Sequence, residues 1–441
     1  MKKISLFAVA LLFGALATTT MTSCSSDDDD NNGADEQNNE IEALTSQYIN
    51  SVVYDTYSKL AAQTETLYSQ ISALKSKLNS GTSVSQSEID AICTTYKAAR
   101  KQWEESEAFL FGAASDFEID PHIDTWPLDV AVLASDLADD RKIEALNGED
   151  GIGYARENLT AENLGFHGIE FIFFRDGKNR DVAIFNNDVT ESYEDYFSGK
   201  SVTGREEVIF ATAVAGDLRD KCYQLEVSWL GAKASAKAQA RIGELYAQDT
   251  EEWKHTATGS NSLSYGENML QATKSGSTYN SWKKVAEEIF DGCSDICAEV
   301  ADQKMGQAYR AATGKPEQHE DEETGELVDD DPNYIESPYS HNSFTDFTGN
   351  IVSIKNSLYG GRDLSAPTGT SLMAYLTKYN AEQAATLTTK LNAALAALEA
   401  CQQSGKAFVE APGAAVVGQA IEAISALDDE LNEAKNWMLK N

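Results

Sequence analysis

Ile41-Glu42-Ala43-Leu44-Thr45-Ser46-Gln47-Tyr48-Ile49-Asn50-Ser51-Val52 opens the pattern that decides the fold. Apolar side chains at Ile41, Leu44, Tyr48 and Val52 continue at Leu60, Leu67, Ile71, Leu74 and Leu78. Steps of threes, fours and their sums put these residues on one face of a long amphipathic helix. Gly81 and the Ser and Thr residues around it predict its end. Ser85 or Ser87 can cap a second helix, with Ile89, Ile92, Tyr96, Ala99 and Trp103 on its buried face.

The same period recurs down the chain. Pro121 and Pro127 interrupt it, and Leu128 to Leu146 resumes it. Further helices are predicted from about Arg205 to His255, from Tyr279 to Ala312, and from Phe344 to Leu358. Gly360-Gly361 closes the last of these. Leu387, Leu391, Leu395 and Leu398 mark another helix, and Val417, Ile421, Ile424, Leu431 and Met438 the final one. No segment sustains period-two alternation with paired turns, so no sheet is expected. The fold class is all-α. The balance of helices predicts two packed helical-bundle domains, 41–200 and 201–441, with the boundary near Gly199 or Gly204.

The start of the chain reads as an address. Lys2 and Lys3 precede an apolar run, Phe7 to Leu16, too short to span a membrane. Met21-Thr22-Ser23-Cys24 follows and resembles a bacterial lipobox, which implies a signal peptide over 1–23 and lipid on Cys24. Residues 24–40, with Asp27 to Asp30, are too polar to bury a core and are expected to be a disordered tether. An acidic run after a lipidated Cys resembles the surface-export signal of Bacteroidetes lipoproteins. The expected location is therefore the cell envelope, anchored in outer-membrane lipid, with the body facing either way.

The chain of 441 residues carries 35 Lys and Arg against 71 Asp and Glu, a formal charge of −36 at pH 7. Phosphate backbones are repelled by such a surface, which excludes nucleic acid as a partner. Cys93, Cys222, Cys293, Cys297 and Cys401 are widely spread and form no disulfide framework; buried free thiols are expected. The acidic segment 314–336 lacks calcium-loop spacing and reads as a solvated insertion between helices.

The chemistry concentrates around Gly165-Phe166-His167-Gly168-Ile169-Glu170, followed by Phe171-Ile172-Phe173-Phe174. On a helix, His167 and Glu170 share one face a turn apart. An imidazole nitrogen and a carboxylate oxygen placed that way can hold one transition-metal ion. The pair can equally hydrogen-bond each other and satisfy buried polar groups. Two other polar clusters stand out. One is Trp103 and Glu107 with Trp126-Pro127-Leu128-Asp129; the other is Glu336-Ser337-Pro338-Tyr339-Ser340-His341-Asn342, leading to Asp346.

Gly-x-His-x-x-Glu with Arg175-Asp176-Gly177 resembles the signature of the imelysin family. Trp126-Pro127, the Glu336 to Asp346 segment with Tyr359-Gly360-Gly361, and Asp295 to Lys304 resemble further family segments in the right order. The resemblance covers nearly all of the chain from about residue 40. It implies an all-helical, two-domain, extracytoplasmic protein linked to iron uptake, in a family named for a peptidase activity. It also implies a pocket between the domains, bringing His167 and Glu170 near Trp126, Pro127, Arg175, Ser337, His341, Asn342 and Asp346.

Iron is the ligand this reading favours. Glu170 supplies an oxygen and His167 a nitrogen, and Glu107, Asp129 or Asp346 could add further oxygens across the domain interface. Haem, with His167 as axial ligand, and zinc are the alternatives, and an outer-membrane transporter is the partner to which iron or haem would pass. Metal-dependent proteolysis is the competing activity. It lacks a His-Glu-x-x-His, and Phe171 also breaks the inverted motif. Binding of another small ligand without metal is the third reading.

Overall fold

The computed structural model describes residues 29–186, 202–320 and 327–441. Asn38–Asn441 forms one compact unit. The expected all-α architecture is what the chain adopts, and the periodic apolar residues account for it. Leu44, Tyr48, Val52, Leu60, Leu67, Ile71 and Leu74 are all buried on one face of a continuous helical rod, Asp29–Tyr48, Ile49–Val53 and Tyr54–Asn79. The middle piece is wound as a π-helix, a local widening of the α-helical turn.

Helix ends follow the local chemistry. Ser85 starts the Gln86–Glu104 helix, and the Glu88 carboxylate reaches back to the Ser85 N–H at 3.0 Å, closing a capping box. Gly360 ends Ser343–Tyr359 in the left-handed region at φ 70°. The predicted Arg205–His255 helix is broken into Gly204–Leu230 and Ala236–Gln248, with a short 3-10 turn between. Gly204–Leu230 lies just past the division expected near residue 200, and it packs along Tyr54–Asn79 within one shared core. Near the C-terminus, Ala381–Gln403 packs on Ala415–Lys440, which also packs on Trp282–Ala298.

The first helix is described from Asp29, and Ile41 and Leu44 anchor it in the core. Lys378 pairs with Glu40 at 2.5 Å beside that anchor. There are also two small hairpins where no strand was expected. Phe174–Arg175 pairs with Lys178–Asn179 across Asp176-Gly177, both at positive φ, which is the geometry a two-residue turn demands. Gln318–Glu320 pairs with Leu327–Asp329 inside the acidic insertion. The remaining cysteines are free and buried, as expected. Cys24 lies outside the described residues.

Candidate metal centre

His167 and Glu170 sit on the Gly165–Phe173 helix, every residue of which is buried. The two glycines of the motif explain how the helix reaches its place. Gly165 has φ +59°, and a Cβ there would lie 1.8 Å from the Ile123 carbonyl. A Cβ on Gly168 would meet the Asn163 carbonyl at 2.3 Å. Only glycine lets the backbones of Ile123 and Asn163 approach this helix so closely.

That approach creates the central contact. His167 Nε2 donates to Asp124 Oδ1 at 3.0 Å. Asp124 Oδ2 accepts from Trp103 Nε1 at 2.7 Å, and Arg100 Nη1 closes on the same carboxylate. His167 Nδ1 and Glu170 Oε2 are 3.7 Å apart, too far for a hydrogen bond, so the two do not simply satisfy each other. Glu170 turns its other oxygen to Ser340, accepting from the backbone N–H at 2.7 Å and the hydroxyl at 2.6 Å. Its Oε2 is buried with no hydrogen-bond partner.

Around this core lies a buried polyelectrolyte. Arg100 is fully buried; Nε lies 2.6 Å from Glu104 Oε1 and 3.6 Å from Asp346 Oδ2, and Nη2 donates to Glu336. Lys304 approaches Glu336 at 3.4 Å, Glu299 at 3.6 Å and Glu107 at 3.8 Å. Lys304 comes from Glu299–Gln307, a second π-helical stretch. Asp346 accepts from Ser337 Oγ at 2.6 Å and from Asn342 Nδ2. Glu104, Glu107, Asp124, Glu170, Glu336 and Asp346 are all buried, and they outnumber the cationic partners Arg100, Lys304 and His167.

Proton affinities follow that excess of negative charge. Burial alone would push the His167 imidazole down, but Asp124 and Glu170 outweigh it and raise it to about 9. Asp124 resists burial because Arg100 and His167 hold it well below the usual carboxylate range. Burial and neighbouring carboxylates push Asp346 and Asp120 up to about 7. Glu104 and Glu107 are raised well above their ordinary values for the same reasons, despite Arg100 and Lys304. At neutral pH the centre therefore stores protons in place of missing positive charge.

A metal ion is a chemical fit for such a place. Asp124, His167 and Glu336 each offer one ligand atom, all within 4.8 Å of one another, and Glu104, Glu107 and Asp124 form a second such set. Glu336 Oε2 is buried without a hydrogen-bond partner, an orphaned oxygen a cation would satisfy. One nitrogen with carboxylate oxygens suits iron, and fits zinc or manganese as well.

The loop around Glu336 is stapled from several sides. Trp126, just past Asp124, lies with its ring centroid 4.1 Å from that of Tyr334, just before Glu336. Phe171 meets Tyr339 edge-on at 4.9 Å, and Arg175 covers the Phe171 face at 3.7 Å. Trp126 and Arg175 thus brace the centre from its margins. Pro127 follows a cis Trp126-Pro127 peptide and is exposed.

Some expected residues stand elsewhere. Asp129 is exposed, and its carboxylate accepts from the Val132 N–H at 2.9 Å, capping Val130–Leu137; the acid beside His167 is Asp124. His341 faces Gly177, where an added Cβ would lie 2.7 Å from Nδ1; it sits over the hairpin turn and makes no second imidazole beside His167. Glu107 belongs to the centre, but from a 3-10 turn after Gln86–Glu104. Sequence reasoning missed Arg100, Glu104, Asp124 and Lys304. The signal was present for two of them: Arg100 and Lys304 fall within apolar stripes, where a charge needs a partner.

The pattern of the imelysin family, designated peptidase M75, matches residues 53–433. Iron-regulated protein A of Synechococcus elongatus is 24% identical over 385 residues, covering 87% of this chain and 83% of that protein. The crystal structure of a protein assigned as an iron-regulated protein A precursor, from Parabacteroides distasonis, superposes with a TM-score of 0.67 at 24% identity. It covers 90% of this chain and 95% of its own. An imelysin-like protein from Psychrobacter arcticum gives 0.50 at 15% identity, covering 91% and 94%. At these identities the structures speak for the fold.

Proposed function

This chain belongs to the imelysin family, and from that premise we propose that it binds iron in the cell envelope through His167, Asp124 and Glu336. The observation that carries the reading is the buried excess of carboxylates around one imidazole, with Oε2 of Glu336 and Oε2 of Glu170 left without hydrogen bonds. Glu170 stands behind His167, held by Ser340, and orients the imidazole from the Nδ1 side. The name of the Synechococcus relative, iron-regulated protein A, supports iron as the cargo.

A bare ion suits the centre better than haem. His167 is 2% exposed, and its two ring nitrogens face Asp124 and Glu170, leaving no free ring edge for a porphyrin-bound iron. Proteolysis is less favoured too, because Gly168 and Phe171 break both the His-Glu-x-x-His and the inverted motif that would set a base beside a metal-bound water. The lipid anchor at Cys24, an outer-membrane location and hand-over to a transporter belong to the same proposal.

The test is thermal unfolding of metal-free protein with ferrous iron, ferric iron and zinc. A ligand of the native state raises the midpoint, and iron is expected to do so in the wild type but not in His167→Ala. An equal rise in both proteins would overturn the site. For the anchor, incorporation of labelled palmitate that disappears in Cys24→Ala is the expected result.

A further inference from the structure

We propose that the centre holds two cations, with Glu104, Glu107 and Asp124 forming a second, all-oxygen position that shares Asp124 with the His167 site. The proposal rests on the iron-binding reading of that first position and extends it to an ion pair bridged by one carboxylate.

Glu107 is the observation that points there. It is 4% exposed, yet its carboxylate accepts no hydrogen bond from a described residue, and its ion pair with Lys304 is long, at 3.8 Å. Its ligand atom lies within 4.8 Å of those of Glu104 and Asp124. A buried carboxyl so poorly matched either keeps a proton or exchanges it for a cation. Glu104 is fixed in reach by Asn350, whose Nδ2 donates to Oε2 at 2.7 Å.

Lys304 is the stand-in. Its ammonium hovers at 3.4 to 3.8 Å from Glu336, Glu299 and Glu107, and none of these pairs is close. A lysine head is a compact charge on a flexible stem, so it can neutralise the position when empty and swing away when an ion enters. Three carboxylates with no nitrogen select a hard cation, such as manganese(II), magnesium or iron. Carboxylate-bridged ions lie about 3.5–4 Å apart in two-metal sites, a spacing one Asp124 side chain can span.

The probe is manganese(II), titrated into metal-free full-length protein and followed by electron spin resonance and equilibrium dialysis. Two equivalents with a spin-coupled signal are expected in the wild type. Glu107→Gln should bind one uncoupled equivalent, which His167→Ala in the same background removes. Lys304→Met should bind the second equivalent at least tenfold more tightly, because the competing ammonium is gone. One uncoupled equivalent in the wild type overturns the second position and leaves the His167 site standing. No binding of manganese, iron or zinc overturns both. If Glu107→Gln fails to fold, the coupled or uncoupled signal of the wild type decides alone.

Discussion

Asp124 Oδ1 lies 3.0 Å from His167 Nε2, although the two are 43 positions apart in sequence. The contact exists because Gly165 lets the chain around Ile123 come within reach of the His167 helix. Asp124 is also the residue on which Arg100 and Trp103 converge. One carboxylate thus holds the charge and orientation of the imidazole and ties it to the Gln86–Glu104 helix.

Asp124→Asn should therefore act twice. Removing one charge of a buried, hydrogen-bonded set destabilises the fold by about 3–5 kcal/mol. It also removes the main attraction holding the His167 proton, so the imidazole should titrate well below its present value of about 9. Denaturant unfolding measures the first effect, and the His167 ring resonances followed against pH measure the second.

The metal-free protein should lose stability as the pH rises. Asp346 is raised from 3.8 to about 7, so the folded state binds its proton more tightly and that advantage drains away between about pH 4 and 7. His167 is raised from 6.5 to about 9, so its contribution is full below pH 6.5 and gone once the pH passes 9. The midpoint of unfolding should fall from pH 5 to pH 9, and less steeply in Asp346→Asn. Iron must displace the His167 proton, so its effect on the midpoint should grow over the same range.

Gly165→Ala should be among the most damaging small substitutions in the chain. It combines a positive φ with a Cβ 1.8 Å from the Ile123 carbonyl. A cost of roughly 3 kcal/mol or more is expected, with loss of metal binding as Asp124 is pushed back from His167. Circular dichroism melts and the iron-induced shift read the two consequences.

Trp126→Ala tests the staple rather than the ligands. The ring packs on Tyr334 between the segments that carry Asp124 and Glu336. Its loss should cost about 1–2 kcal/mol, since both rings are only part-buried. Iron affinity should fall about tenfold while stoichiometry is retained, which calorimetric titration can separate.

How far the sequence led depends on the residue. The stripe from Leu44 to Leu74, the Ser85 cap and the Gly360 stop are local signals, and each produced the element it predicts. The same holds for the all-helical fold class. His167, Glu170 and Asp346, which the structure places in one buried polar cluster, were legible because spacing or a neighbouring motif marked them. Asp124 was not, because its role comes from a contact across the fold. Asp129 was favoured for its nearness to Trp126-Pro127, but an Asp just before Val130-Ala131-Val132 is a helix cap by its local chemistry. Arg100 and Lys304 were overlooked although both interrupt buried stripes.

The most direct measurement is an anomalous difference map, collected at the iron edge from crystals of the protein loaded with iron. The account predicts a peak among His167 Nε2, Asp124 and Glu336, with the His167–Asp124 hydrogen bond replaced by bonds to the ion. A map with iron bound elsewhere, and His167 still donating to Asp124, would contradict it.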